Sequence, residues 1–154
     1  MSGEYFVDTN ILVYSRDASE GQKQVLAEQW LSHLWRERAG RISTQVLNEY
    51  FVTVTSKLAP GLPRAEAWAD VESLFAWRPL AVDDRLLRVA HRVHETFGQS
   101  WWDSLIVAAG QVLGCAYLLT EDLQDGRDFD GLMVVDPFKH DVSEITWGER
   151  PDHM

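Results

Sequence analysis

Three carboxylates occupy positions where an α/β protein displays chemistry. Asp8 closes a short apolar run, Tyr5-Phe6-Val7. Asp122 follows a second run from Cys115 to Leu119, and Asp103 lies in the first turn of a strongly apolar segment opened by Ser100. In open α/β sheets the ligand crevice lies beyond the carboxyl ends of the strands, so Asp8 and Asp122 share one rim if their strands are neighbours. Glu49 falls in the first turn or so of a helix that follows a possible strand at 41–44. It sits beside that helix's apolar stripe and begins near the same rim. Four acids brought together with no Lys or Arg nearby in sequence repel one another and raise their own pKa values. A divalent cation relieves that conflict, and an all-oxygen donor set suits Mg2+ or Mn2+. Such a cation lowers the pKa of bound water and clamps anionic oxygens. Thr9 and Asn10 beside Asp8, and Thr120 beside Asp122, are placed to orient those carboxylates. Glu121, Asp125 and Asp128 lie close enough to Asp122 that a one-turn shift makes one of them the fourth ligand instead.

Each feature also has a plainer reading. Asp-Thr-Asn is a frequent turn and N-cap sequence. Ser100-x-x-Asp103 fits a capping box whose acid complements the helix dipole, a role compatible with metal binding. Glu49 alone passes for a surface acid. His91-x-x-His94 has a spacing that metal pairs use, but no Cys or HExxH frame accompanies it, and it reads as a solvated helix face. Trp101 and Trp102 invite base stacking, with one of them expected to pack the helix into the sheet. Arg16 and Arg127, each a few residues beyond one of the acids, are candidates for a rim that meets phosphate. No P-loop, GxGxxG or GxSxG occurs, which lowers nucleotide-binding and serine-hydrolase readings.

The elements that must position these groups alternate along the chain. A short strand at 4–7 leads into helix through Ile11, Leu12 and Tyr14. A helix from about 22 to 38 carries Leu26, Trp30 and Leu34 on one stripe and is closed by Gly40. After the possible strand at 41–44 comes a helix from about 45 to 59. Pro60-Gly61-Leu62-Pro63 breaks it, and Pro63 starts another running towards Phe75. Residues 78–82 suit an edge or short strand, because Pro79 cannot donate a ladder bond. Asp83-Asp84 opens a helix ended by Gly98, and Ser100 begins one to about Leu113. The apolar runs 115–119 and 132–135 read as strands covered on both faces. The tail from 138, polar from about 139 to 154, reads as irregular. This order implies parallel strands with helical crossovers, hence a three-layer α/β/α sandwich around a mostly parallel sheet. Without repeats or linkers, 1–154 reads as one domain.

The chain's 154 residues, 45% of them hydrophobic, can bury a sizeable core without disulfides. Acids outnumber bases 24 to 14, for a net charge of −10, which argues against gripping nucleic acid by bulk charge. It leaves room for a nuclease that holds cations in an acidic pocket. Eleven of the 14 bases are Arg, the better fork for phosphate. The single Cys115 excludes an intramolecular disulfide and a cysteine-based zinc site, and fits a reducing compartment. Met1 to Glu4 lacks signal-peptide character. The most apolar stretch, 105–119, is too short and too broken by Gly110, Gln111 and Gly114 to span a bilayer. A cytoplasmic protein with no membrane partner is the expectation.

In order and spacing, Val7-Asp8-Thr9-Asn10, Glu49, Trp102-Asp103-Ser104-Leu105-Ile106-Val107-Ala108-Ala109, Thr120-Glu121-Asp122 and Val135-Asp136-Pro137-Phe138 resemble the PIN-domain nucleases. The likeness is greatest to VapC-type toxins of bacterial toxin–antitoxin pairs, and it covers roughly Tyr5 to Phe138. It implies a PIN fold, Mg2+- or Mn2+-dependent endoribonuclease activity on RNA, a homodimer, and inhibition by a small antitoxin. Residue by residue, Asp8, Glu49, Asp103 and Asp122 match the family's acidic quartet. Two other functions compete. A catalytically inactive PIN-like module that binds RNA or protein is opposed by the intact quartet. A magnesium-binding receiver-like signalling domain needs a Lys at the end of a later strand, and Lys23, Lys57 and Lys139 are not so placed.

Overall fold

The computed structural model describes residues 3–145. At its centre β1 (Tyr5–Val7) is buried on both faces, as three consecutive apolar residues in a parallel sheet require. It pairs in parallel with β2 (Gly40–Arg41) on one side and β3 (Tyr117–Leu119) on the other. β3 pairs in parallel with β5 (Leu132–Val135), which carries the antiparallel edge strand β4 (Asp128–Phe129). The order is β2-β1-β3-β5-β4, and the register aligns Val7, Leu119 and Val135 at one end. The residues that follow those ends therefore meet on one rim.

Helices cover both faces, giving the α/β/α sandwich expected. On one face Tyr5 packs edge-on against Trp30 of α2 (Gln22–Glu37), at 5.8 Å between centroids, and stacks on Tyr117 at 4.7 Å. Trp30 Nε1 donates to the Pro137 carbonyl at 3.1 Å, so this large indole is buried with its polar atom satisfied. On the other face lies α6 (Trp101–Val112), which buries Ser104 through Gly110 and packs on α5 (Asp84–Phe97). Gly110 permits this approach, since a Cβ there would stand 2.8 Å from Leu132 Cδ2. α1 (Thr9–Tyr14), α3 (Thr44–Ser56) and α4 (Arg64–Leu74) complete the α2 side. Among the described residues no helix is long and apolar enough to cross a membrane.

Several expected boundaries move for local reasons. The second strand is Gly40–Arg41, not 41–44, because the Ser43 hydroxyl accepts from Val46 N and caps α3. The segment 78–82 makes a lone parallel bridge between Leu80 and Ser43. Left-handed Arg78 and Pro79 keep it from running on as a strand. Asp130 and Gly131, at φ 53° and 98°, turn β4 back onto β5 in a hairpin absent from the sequence reading. In the tail, Asp141 accepts from Ser143 N and α7 (Val142–Ile145) forms, so that stretch is not wholly irregular. Residues 146–154 of the tail lie outside the described residues.

Candidate active site

The aligned strand ends bring the predicted groups together. Asp8 N donates to Leu119 O at 3.0 Å, continuing the β1–β3 pairing by one residue. The Asp8 side chain then caps α1, with Oδ1 accepting from Thr9 N at 2.7 Å. Its other oxygen accepts from Thr120 Oγ1 at 2.8 Å. Thr120 Oγ1 in turn accepts from Asn10 Nδ2 (3.2 Å) and from Asp122 N (3.1 Å), so one hydroxyl ties Asp8 to the Asp122 loop. Glu49, one turn into α3, is held from both sides: Thr9 Oγ1 donates to Oε1 at 2.8 Å and Gln45 Nε2 to Oε2 at 3.3 Å. Asp103 sits in the first turn of α6, where Ser100 Oγ accepts its N–H at 3.1 Å. Capping and presentation to the crevice coexist there.

All four carboxylates line one cavity of about 690 Å³, together with Thr9 and Asn10. Asp8 is 7% exposed. Burial pushes its carboxyl up to about 7, Asp122 and Glu49 add to the rise, and the bonds from Thr120 and Thr9 oppose it. Burial also raises Asp103, aided by Asp122 and Glu49 and opposed by Ser100.

The neighbours that competed with Asp122 are engaged elsewhere. Glu121 binds Lys23 and the Tyr14 hydroxyl. Asp125 accepts from Asp136 N and faces His140 Nε2 at 2.8 Å, and Asp128 accepts from Gly131 N in the hairpin. None of the three lines the cavity. Neither expected rim arginine does so either. Arg16 grips Asp70 through two bonds of 2.8 and 3.1 Å, and Arg127 lies over Phe129 and Phe97. The cation lining the cavity is Lys57, just past α3, which the sequence reading missed. His94 Nδ1 is taken by Gln99 O at 2.6 Å while His91 is exposed, so these two form no pair. Trp101 packs edge-on to His94, whereas Trp102, 63% exposed, lines the cavity beside Asp103.

Among the described residues, no three His, Cys, Asp or Glu side chains close into a ready-made metal cage. Mg2+ does not need one: it keeps several waters and binds through one or two carboxylates. The donor set here is all oxygen. It includes an acceptor that the sequence reading missed, Gln45 Oε1, buried beside Glu49 and without a hydrogen-bond partner among the described residues. These residues fit a hydrated, hard divalent cation.

Residues 5–128 match the family model of the PIN domain. The chain belongs to the PIN domain family. No curated protein matches it. Among solved structures, this PIN-domain chain is similar to one in a toxin–antitoxin complex from Klebsiella pneumoniae. The TM-score is 0.62 at 19% identity, over 90% of this chain and 100% of that one. It is also similar to a chain of VapBC2 from Rickettsia felis bound to a DNA fragment from their promoter. There the TM-score is 0.56 at 17% identity, over 84% of this chain and 96% of that one. At these identities the likeness is one of fold. The stretch matched by the family model contains Asp8, Glu49, Asp103 and Asp122, and also Asp17 and Glu20, which line the outer part of the same cavity.

Proposed function

We propose that this chain is a divalent-metal-dependent endoribonuclease, the toxin of a bacterial toxin–antitoxin pair. The observation that carries the reading is the convergence of Asp8, Glu49, Asp103 and Asp122 on one cavity at the carboxyl ends of β1 and β3. In this reading the four acids hold Mg2+ or Mn2+, which when bound supplies a nucleophilic water and neutralises charge on the scissile phosphate. Asp8 gives up its proton on loading, and Thr120 and Asn10 keep its carboxylate oriented. Thr9 and Gln45 fix Glu49, Lys57 meets a neighbouring phosphate, and Trp102 offers its exposed ring to a base.

The family and the toxin–antitoxin complexes among similar structures support an antitoxin partner. An antitoxin segment laying an Arg or Lys into the acidic cavity replaces the cation's charge and blocks phosphate at once. A cytoplasmic, single-domain homodimer completes the reading, and sedimentation at micromolar concentration checks the dimer. The functional test is expression of wild type against Asp8→Asn with transcriptome-wide mapping of new 5′ ends. New ends at defined RNA sites with the wild type alone are expected. Identical end profiles for the two proteins contradict the proposal.

A further inference from the structure

The edge of the sheet away from the carboxylates carries a second cleft of opposite charge. Its cavity, about 360 Å³, lies between the end of α2, the start of β2 and the turn at Phe75–Trp77. Trp35, Trp77, Arg38, Arg41 and Arg78 line it. In a chain of net charge −10, three guanidiniums at one cleft are a marked local reversal. The carboxylate paired with them among the described residues is Glu4, 3.5 Å from Arg41 Nη1 and 4.0 Å from Arg78 Nη2.

The three arginines play different parts. Arg41 is committed to structure: Nε donates to Trp77 O at 3.1 Å and Nη2 to Arg78 O at 3.2 Å, which fixes the turn. Arg38 and Arg78 are exposed, and among the described residues Arg38 has no ion-pair partner. Both sit in the left-handed backbone region, at φ 53° and 52°. Each is the residue that stops a helical turn, where the left-handed conformation is common, and each leaves its guanidinium lining the cleft. The exposed Trp35 ring lies 4.9 Å from that of Trp77, whose buried Nε1 has no hydrogen-bond partner among the described residues.

We propose that this cleft binds a nucleotide unit of single-stranded RNA, with phosphate on Arg38 and Arg78 and the base on Trp35. Guanidinium forks match phosphate, and an exposed indole is a stacking platform for any base. An acidic peptide would use the guanidiniums and leave the indole idle. The choice of RNA among phosphate-bearing ligands rests on the nuclease reading above. Gly40 pairs with Tyr5 while Asp8 follows Val7, so the cleft lies about 10 Å of strand below the carboxylates. RNA is then held at two levels of the molecule.

The test is fluorescence anisotropy of a labelled 12-nucleotide mixed-sequence RNA in EDTA, from about 50 to 200 mM salt. Arg38→Gln/Arg78→Gln is expected to weaken binding roughly tenfold and to shrink the slope of log K against log salt by about 1.4. Trp35→Ala is expected to weaken it roughly tenfold at unchanged slope, with Trp35→Tyr restoring it. Thermal unfolding close to wild type confirms that each variant is folded. Absence of RNA binding overturns the proposal, as does binding whose affinity and slope ignore the two arginines. An oligoglutamate peptide that binds as tightly as RNA, with the same arginine dependence, overturns the assignment to RNA. Arg-dependent binding without metal-dependent cleavage sinks the nuclease reading and leaves this cleft standing. Cleavage with Arg-independent binding sinks the cleft alone.

Discussion

Asp8 is under opposing demands, because burial favours its neutral form while a cation site needs its charge. Its carboxyl is raised from an ordinary 3.8 to about 7, so between those pH values the folded state keeps a proton that the unfolded state releases. Stability from this group is complete below pH 3.8 and is lost as pH rises through 7, a change of up to ~4 kcal/mol. Asp8→Asn removes that loss. In EDTA its Tm at pH 7.5 is expected to exceed wild type by several degrees, for about 2 kcal/mol recovered, and the gain is expected to vanish near pH 4. A variant equally destabilised at both pH values contradicts this assignment. Thr120→Val acts in the opposite sense on chemistry. It removes the bond that pulls Asp8 down, so the acidic limb of a cleavage pH profile moves to higher pH. It also removes the acceptor of Asp122 N, a bond worth about 0.5–1.5 kcal/mol in a denaturant titration. The acids themselves were legible in the sequence, because carboxylates at strand ends and in first turns are positional signals. Thr120's place beside Asp122 was legible too, but its contacts to Asp8 and Asn10 were not, since they depend on the register of Val7 against Leu119. Lys57 enters the cavity from the far end of α3, eight residues past Glu49, beyond the reach of local spacing.

At the scale of elements, the caps were readable and the strand lengths were not. Ser100 and Asp83 cap α6 and α5 as their types suggest, each accepting a backbone N–H three residues on. The hairpin β4–β5 carried its own signal, Asp130-Gly131 between Phe129 and Leu132, and Asp-Gly is a preferred two-residue hairpin turn. β4, however, is two residues long, too short for period-two alternation to mark it as a strand. Pairing across the sheet also sets demands that sequence conceals. Gly40 closes the α2 pattern in the sequence, yet in the fold it lies under Trp77, whose ring atoms stand 2.6 Å from where a Cβ would be. Trp77 is buried and held by Arg41 at its carbonyl, so the ring has little room to withdraw. Gly40→Ala is expected to cost about 1–3 kcal/mol by overpacking, read as a lower urea midpoint. An unchanged midpoint contradicts this packing.

Across the whole molecule, charge is divided. The acids gather at the carboxyl ends of β1 and β3, while Arg38, Arg41 and Arg78 gather at the sheet edge below. Net charge alone, −10, hid this separation, and it explains why Arg16 and Arg127 were misplaced: both are used up in packing, against Asp70 and against Phe97 and Phe129. An inhibitor that reaches the acidic cavity with a basic side chain must compete with a cation, so the affinity of the proposed antitoxin is expected to fall as Mn2+ is raised. Arg-to-Ala changes in its toxin-binding segment are expected to restore cleavage. Affinity indifferent to metal contradicts that mode of inhibition and leaves the nuclease reading intact. In the proposed function the four carboxylates act together as a cation site that cleaves RNA. This is tested most directly by incubating the purified chain with total RNA across a Mn2+ titration and in EDTA, as wild type and as Asp103→Asn. Cleavage at discrete sites that requires the metal and falls roughly 100-fold or more in the variant is the expected result. Cleavage that persists in EDTA, or is unchanged in Asp103→Asn, contradicts the account.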